Sequence, residues 1–359
     1  LDPRVIKNVK NKINVYDGDT PPDIRTKIRK NSQVILTNPD MIHYAVLPNH
    51  DLWEDFFEKL KYVILDEAHI YSGIFGSHVA NVIRRLKRIN SLYNKTLSFI
   101  CTTATIGNPR EFLRRLVEEE FELINQDGSP KINKKYVFYN PPIINQELGI
   151  RKSLHQETLR ITEEFTRNNV QVLVFQGSRK EVEKSLKYLQ QYDKNNSNTT
   201  ASYRSGYLAQ DRRKIEEDFR YGRINALFST NALELGIDIG NLQCVILSGY
   251  PGSISSTWQQ MGRSGRSKAD SIAIFIASSN PIDQFIINRP EYLYVNNPEN
   301  ALINPNNPNI LIDHLVRSIM EVSLLHGEEF GNLNWEQIEP ILNHLITLGI
   351  VAQKNEKYI

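Results

Sequence analysis

Short apolar runs alternate with amphipathic segments along most of the chain. Gln33–Leu36, Tyr62–Asp66, Leu97–Thr102, Val170–Gln176, Asn225–Ser229, Cys244–Ser248 and Ser271–Ala277 are rich in Val, Ile, Leu and Phe and lack polar alternation. Strands buried on both faces of a parallel sheet read this way, so the pattern predicts buried strands. Between the runs, apolar residues take helical spacing. Val79, Val82, Ile83, Leu86 and Ile89 fall on one face, with Arg84, Arg85, Lys87 and Arg88 expected elsewhere. Ile215 and Phe219 make a similar pair within Asp211–Gly222. Such β–α alternation predicts an α/β fold with open parallel sheets.

Two breaks divide the pattern. Pro141-Pro142 interrupts it within Asn140–Gly149, and a fresh β–α series begins after Val170. Near Pro281 the chain turns Asn- and Pro-rich and the buried-strand series stops. The expected division is therefore 1–145, 146–285 and 286–359. In the last part Trp335, Ile338, Ile341, Leu342, Leu345 and Leu348 repeat at helical spacing, and Gly349 is placed to end that helix. Ile350–Ile359 then reads as a short strand or wing, which suggests the start of a winged-helix module.

Composition narrows the function classes only slightly. At 359 residues, with 40% hydrophobic and 23% charged residues, the chain is long enough for two domains with sizeable cores. No apolar run approaches the roughly 20 residues that cross a bilayer. The opening Leu1-Asp2-Pro3-Arg4 lacks the layout of a signal peptide, so a cytoplasmic location, nucleoid-associated in a bacterium, is expected. A net charge of +2 requires any nucleic-acid site to be a local patch. Cys101 and Cys244 sit in strand-like runs and read as buried thiols. Two isolated cysteines exclude a disulfide framework or a four-cysteine zinc site within the chain.

The chemistry gathers at strand ends. Tyr62-Val63-Ile64-Leu65 runs into Asp66-Glu67-Ala68-His69, which puts adjacent carboxylates where α/β sheets bind ligands. One carboxylate can hold Mg²⁺ through water, and its neighbour can orient or deprotonate a water that attacks a γ-phosphate. Thr102-Thr103-Ala104-Thr105 follows another strand, and its hydroxyls can relay hydrogen bonds between two sites. Ser229-Thr230-Asn231-Ala232-Leu233-Glu234-Leu235-Gly236-Ile237-Asp238 offers Thr, Gly and Asp for phosphate and ribose, or simply a helix cap. Gln259-Gln260-Met261-Gly262-Arg263-Ser264-Gly265-Arg266 brings two arginines close to glycines, suited to neutralising phosphate charge or to a solvated basic loop.

Taken in order, Asp-Glu-Ala-His, Thr-Ala-Thr, Val-Phe-Gln-Gly-Ser, Thr-Asn-Ala-Leu-Glu-Leu-Gly-Ile-Asp and Gln-x-x-Gly-Arg-x-Gly-Arg resemble motifs II to VI of the superfamily two, DEAD/DEAH-type helicases. The resemblance spans nearly the whole chain. Tyr16–Thr20, Leu36–Met41, Tyr203–Tyr207 and Arg289–Leu293 look most like the MrfA-type DNA-repair helicases, relatives of the Hrq and Lhr groups. It implies an α/β fold of two RecA-like parallel-sheet lobes, the first incomplete, followed by the start of a helical, winged-helix module. It further implies ATP and Mg²⁺ as cofactors, single-stranded DNA as partner, and 3′ to 5′ movement driven by ATP hydrolysis, with RNA not excluded.

By this resemblance Asp66 holds Mg²⁺ through water, Glu67 is the catalytic base, and His69, Thr103 and Thr105 couple the sites. Gln259, Arg263 and Arg266 reach the γ-phosphate, while Gly236 and Asp238 meet nucleotide and strand. Thr37, Asp40, Ser178, Arg179, Arg204 and Thr230 are the implied strand contacts, whose chemistry suits phosphate binding without base reading.

One departure is large. The family's Gly-x-x-x-x-Gly-Lys-Thr/Ser loop is absent, since none of the 18 glycines is followed by Lys. That loop supplies the backbone N–H cradle and the Lys for the β- and γ-phosphates. The expectation is a chain truncated at both ends, also lacking the family's zinc module, that barely hydrolyses ATP alone. The first sheet is expected to be missing strands, with an exposed edge and a half-made core. A double-strand translocase, an RNA helicase and a non-catalytic nucleic-acid-binding module remain alternatives, the last opposed by the intact Asp66, Glu67, Arg263 and Arg266.

Overall fold

The computed structural model describes residues 12–94, 96–104, 106–126, 128, 133–192, 199–235, 242–265 and 270–359. The chain forms two units. One gathers Leu1–Thr103, Asn108–Ile124 and Ala301–Ile359, and the other Ala104–Gly107 and Asn125–Asn300.

In the first unit β1 (Ile13–Val15) pairs in parallel with β2 (Val34–Leu36), and β3 (Tyr62–Leu65) with β4 (Ser98–Cys101). Each of these strands exposes alternate residues, including Val15, Leu36, Tyr62, Ile64 and Ile100. The expectation that such runs are buried on both faces therefore fails here. Order comes instead from the 21-residue helix Gly73–Tyr93. Its Val82, Leu86 and Ile89 pack with Tyr16, Ile28, Leu47, Trp53 and Phe57.

The arginines of that helix are covered as well. Arg84 and Arg85 are buried, because chain segments cover this face too. Arg84 donates to Glu118, with Nε–Oε1 at 3.0 Å, and also to Asn306 and Asn332. Arg85 is 0% exposed and forms a forked pair with Glu321, Nε–Oε2 3.0 Å. Arg88 reaches Glu328 at 2.6 Å. Arg84, Arg85, Lys87 and Arg88 thus form a row of ion pairs.

The second unit holds the fuller sheet. Strands β5 (Lys134–Tyr139), β8 (Val172–Gln176), β9 (Thr200–Tyr203), β10 (Ala226–Ser229), β11 (Cys244–Ser248) and β12 (Ser271–Ile276) lie in the order β5-β12-β11-β8-β10-β9. All pairings are parallel. A short antiparallel hairpin, β6 (Ile143–Asn145) and β7 (Ile150–Arg151), occupies the Pro141-Pro142 break. Alternate residues of the central strands enter separate apolar clusters, Leu173, Leu227 and Val245 in one, Val172, Phe228 and Ile246 in the other. This is the two-faced burial that the apolar runs predict. Strand β5 precedes the expected division at 145, yet it pairs with β12 in this sheet.

Residues 301–359 carry the helix Pro308–Glu321, β13 (Leu324–Leu325), the helix Trp335–Thr347, and β14 (Gln353–Lys354) with β15 (Lys357–Tyr358). Asn334 and Gln337 form a reciprocal cap that starts the second helix. Gly349, at φ 71°, ends it in the left-handed conformation that glycine adopts without strain. The strands pair antiparallel in the order β13-β15-β14, a helix followed by a wing as the spacing suggested. Among the described residues, no helix is long and apolar enough to cross a membrane.

Candidate functional site

In the first unit, the candidate residues follow the carboxyl ends of parallel strands. β3 runs directly into Asp66 and Glu67, and β4 into Thr102 and Thr103. The two strand ends are tied together. Ala68 N–H donates to the Thr102 carbonyl at 2.8 Å, and Thr102 N–H to the Leu65 carbonyl at 2.9 Å. The Thr102 hydroxyl donates to Asp66 Oδ1, and Glu67 N–H reaches both Asp66 Oδ1 and Thr102 Oγ1, at 3.1 and 3.2 Å. Asp66 is exposed and Glu67 half-buried, so both carboxylates face solvent from a braced turn.

Glu67 has φ 49°, a left-handed conformation unusual for a residue with a Cβ. Such strain persists where surrounding contacts hold it, often at functional sites. His69 Nδ1 lies 3.6 Å from Glu67 Oε2, with its side chain largely buried. Burial, then the nearby Asp66 charge, pushes the Tyr71 phenol above its ordinary range. Gly76, one helical turn on, is required by space: a methyl there would lie 1.8 Å from the Tyr71 carbonyl oxygen.

Thr37 directly follows β2 and is exposed, as is Asp40 in the turn Pro39–Met41, which Asn38 caps through Met41 N–H at 2.9 Å. After β1, Asp17 and Thr20 close a turn on themselves, the Thr20 hydroxyl donating to Asp17 Oδ1 at 2.9 Å. The four strand ends thus carry Asp17–Thr20, Thr37, Asp66–Glu67 and Thr102–Thr103.

In the second unit the parallel register aligns Phe175, Ser229 and Tyr203 across β8, β10 and β9. Ser178, Thr230 and Arg204 lie just past those positions, so they share one edge of the sheet with Arg179. The Ser178 hydroxyl accepts from Glu181 N–H at 3.2 Å, starting the helix Arg179–Tyr192. Arg179 donates to Ser205 Oγ at 2.7 Å. Arg204 pairs with Glu183 at 2.8 Å and lies over the Tyr207 ring. The hydrogen bond from Arg204, helped by Tyr207, outweighs burial and holds the Glu183 carboxyl below its ordinary range. Thr230 is buried at the start of the turn Asn231–Leu233.

Gln259 lies on the helix Ile254–Met261 and Arg263 just beyond it. Arg263 is buried, and its guanidinium donates to the Glu234 carbonyl, Nε–O 2.9 Å. Gln260 donates to the Glu234 carboxylate at 2.9 Å. Gly265, at φ 82°, sits where a Cβ would meet Ser271 Oγ at 2.4 Å, which explains the glycine between the two arginines. Thr105, Gly236, Asp238 and Arg266 lie outside the described residues.

Sequence reasoning missed Glu234, Gln260 and Glu299. The Glu299 carboxylate accepts from Ile254 N–H at 2.7 Å and Ser255 N–H at 3.1 Å, capping the helix that carries Gln259. Its carbonyl accepts from Gly107 N–H at 3.1 Å, in the loop that continues from Thr103. Glu234 and Gln260 lie inside motif-like stretches; Glu299 does not, and a carboxylate that works through distant backbone N–H groups leaves no local spacing to find.

Known helicases are similar to this chain over most of its length. The DEAD/DEAH box helicase family matches residues 4–112, and the helicase conserved C-terminal domain residues 153–268. The chain is 47% identical to the uncharacterized ATP-dependent helicase YprA of Bacillus subtilis, over 96% of this chain and 46% of that protein. It is 41% identical to the ATP-dependent helicase HRQ1 of Saccharomyces cerevisiae, over 87% of this chain and 30% of that protein. A crystal structure of the DUF1998 helicase MrfA bound to DNA and AMPPNP superposes with a TM-score of 0.92 at 45% identity, covering 99% of this chain and 50% of that one. The chain thus spans less than half of each of these two curated relatives.

Proposed function

The chain belongs to the DEAD/DEAH-box helicases of superfamily two, and from that premise we propose that it is the motor core of an ATP-dependent 3′–5′ DNA helicase or translocase acting in DNA repair. The observation that carries the reading is the braced Asp66–Glu67 turn at the end of β3, with Glu67 in a left-handed conformation and the Thr102 hydroxyl on Asp66.

The donor set suits Mg²⁺ held through water. Asp66 Oδ1 is engaged by Thr102 and Glu67 N–H, and the carboxylate is otherwise exposed to a hydrated ion. When bound, the ion would neutralise phosphate charge. Glu67 would orient or deprotonate the attacking water, and Thr102 would hold Asp66 in place. His69, beside Glu67, with Thr103 and Thr105, would couple the site to strand movement. Gln259 would position water, while Arg263 and Arg266 would neutralise the γ-phosphate, with Gly236 and Asp238 at nucleotide and strand.

Single-stranded DNA would be held at Thr37 and Asp40 in the first unit and at Ser178, Arg179, Arg204 and Thr230 in the second, the hydroxyls and arginines meeting its phosphates. Lacking a Gly-Lys pair, this chain by itself would turn ATP over barely. The test is DNA-stimulated ATP hydrolysis by this chain and by a version preceded by the family's phosphate-binding segment, each beside Glu67→Gln. Turnover only in the longer version, abolished by Glu67→Gln, is the expected result. Glu67-dependent turnover by this chain alone would show that phosphate is held without the loop. Turnover indifferent to Glu67→Gln would remove Glu67 from the mechanism.

A further inference from the structure

We propose that a cavity in the first unit, beside the Asn38–Met41 turn, is a subsite for one unstacked nucleobase of the bound strand. The idea rests on the nucleic-acid reading above and goes further by naming what is held there. The cavity has a volume of about 280 Å³ and is lined from three segments: the Pro39–Tyr44 turn, the helix Gly73–Tyr93 and the helix Pro308–Glu321. Small-molecule sites typically start at roughly 300 Å³, so it suits a single ring system better than a whole nucleotide chain.

The wall chemistry selects a base over a phosphate. Tyr44 and Phe75 are exposed aromatic rings at the cavity, the surfaces on which unstacked bases settle. Asp40 and Asp313 also line it, and neither makes a hydrogen bond or ion pair among the described residues. Against these two carboxylates stands one lining guanidinium, Arg317, already over the Tyr44 ring at 5.4 Å. A phosphate entering here would meet an excess of negative charge, whereas an exocyclic amino group would find open acceptors.

The remaining lining is a cluster of histidines tied to Arg85. His314 is buried, its Nε2 3.2 Å from His78 Nδ1 and its Nδ1 3.3 Å from Arg85. His43 Nδ1 meets the same guanidinium at 2.5 Å. Burial first, then the Arg85 charge, holds His43 near about 4 and His314 near about 3, so both imidazoles stay neutral at pH 7. The charge of Arg85 is answered by Glu321. His43 itself sits in a π-helical turn, Ile42–Val46, a backbone form found mostly as single turns at functional sites. Thr37 and Asp40, proposed strand contacts, lie at the cavity mouth or just before it in sequence, so a base turned out of the strand has a short path inward.

Two carboxylates as the open acceptors favour bases with an exocyclic amine over thymine. The experiment is fluorescence anisotropy of this chain with a short oligothymidylate in which one position at a time is thymine, cytosine, guanine or abasic. At one position, cytosine or guanine should bind about fivefold to tenfold more tightly than thymine, and an abasic site more weakly. Asp313→Asn, exposed and outside the proposed strand contacts, should erase that preference and leave oligothymidylate affinity in place, whereas Phe75→Ala, which removes a stacking ring, should erase the preference and lower oligothymidylate affinity toward that of the abasic strand. A preference that survives both substitutions, or affinity blind to base and position, overturns the subsite while leaving the nucleic-acid reading intact. Failure to bind any oligonucleotide overturns that reading and the subsite with it.

Discussion

Tyr62–Leu65 and Val172–Gln176 are the same kind of segment on paper: four or five residues, mostly branched or aromatic, ending at a polar turn. In the second unit every residue of Val172–Gln176 is buried, between β10 and β11 and under apolar clusters on both faces. In the first unit Tyr62 is 61% exposed and Ile64 62%, because among the described residues β3 has a single neighbour strand. An apolar run states what a strand tolerates; its neighbours decide what it receives. The two units are consequently held by different forces. The second depends on a sheet packed from both sides, the first on one helix with an apolar face and a face of ion pairs.

The largest test of that contrast is Phe228→Ala. Phe228 is 0% exposed, and its removal should cost the second unit roughly 3–5 kcal/mol. Hydrogen exchange should report lost protection across β8, β10 and β11 and unchanged protection in Gly73–Tyr93. Loss spread equally through both units would mean that they unfold as one body. Next is Glu321→Gln, which leaves Arg85 buried without its carboxylate. About 3 kcal/mol should disappear from the first unit, with exchange rising in Gly73–Tyr93 and Pro308–Glu321.

Acid should separate the units without a mutation. His43 and His314 take up protons less readily folded than unfolded, so their contribution is complete above pH 6.5 and drains as pH falls toward 4. On the order of 2 kcal/mol is expected after screening at half-exposed His43. In the second unit Glu157 behaves oppositely in window. Burial would raise it, but Arg160 and Tyr139 outweigh burial and hold it at about 2, so its contribution is intact until pH drops below 4.5. Between pH 6.5 and 4.5 the first unit, with two such histidines, should soften more than the second, where burial lowers His155 as well, as read by pH-dependent exchange. The smallest effect belongs to Ile64→Ala, below about 1 kcal/mol, since most of that side chain already faces water. A cost near that of Phe228→Ala would show that something covers β3 in solution.

The second sheet was legible because Val172–Gln176, Ala226–Ser229, Cys244–Ser248 and Ser271–Ile276 carry little but apolar side chains. Strands β5 and β9 escaped, for Lys134-Lys135 and Thr200-Ala201-Ser202 have no such signature; edge positions in the sheet order permit it. The Asp66–Glu67 turn stood out through adjacency of carboxylates after an apolar strand. Arg85 did not, because burial of a guanidinium depends on Glu321, 236 residues away in sequence. Composition cannot separate a solvated arginine from a paired one when the partner is that distant.

Glu299 gives the second unit a mechanical property. Its carboxylate grips the first two N–H groups of Ile254–Met261, and its own carbonyl is gripped by Gly107. Gly107 has no slack, since a Cβ would meet Pro298 O and Asn300 Oδ1 at 2.6 Å. Glu299 is therefore a clasp, fastening the start of the helix that carries Gln259 to the backbone at Gly107.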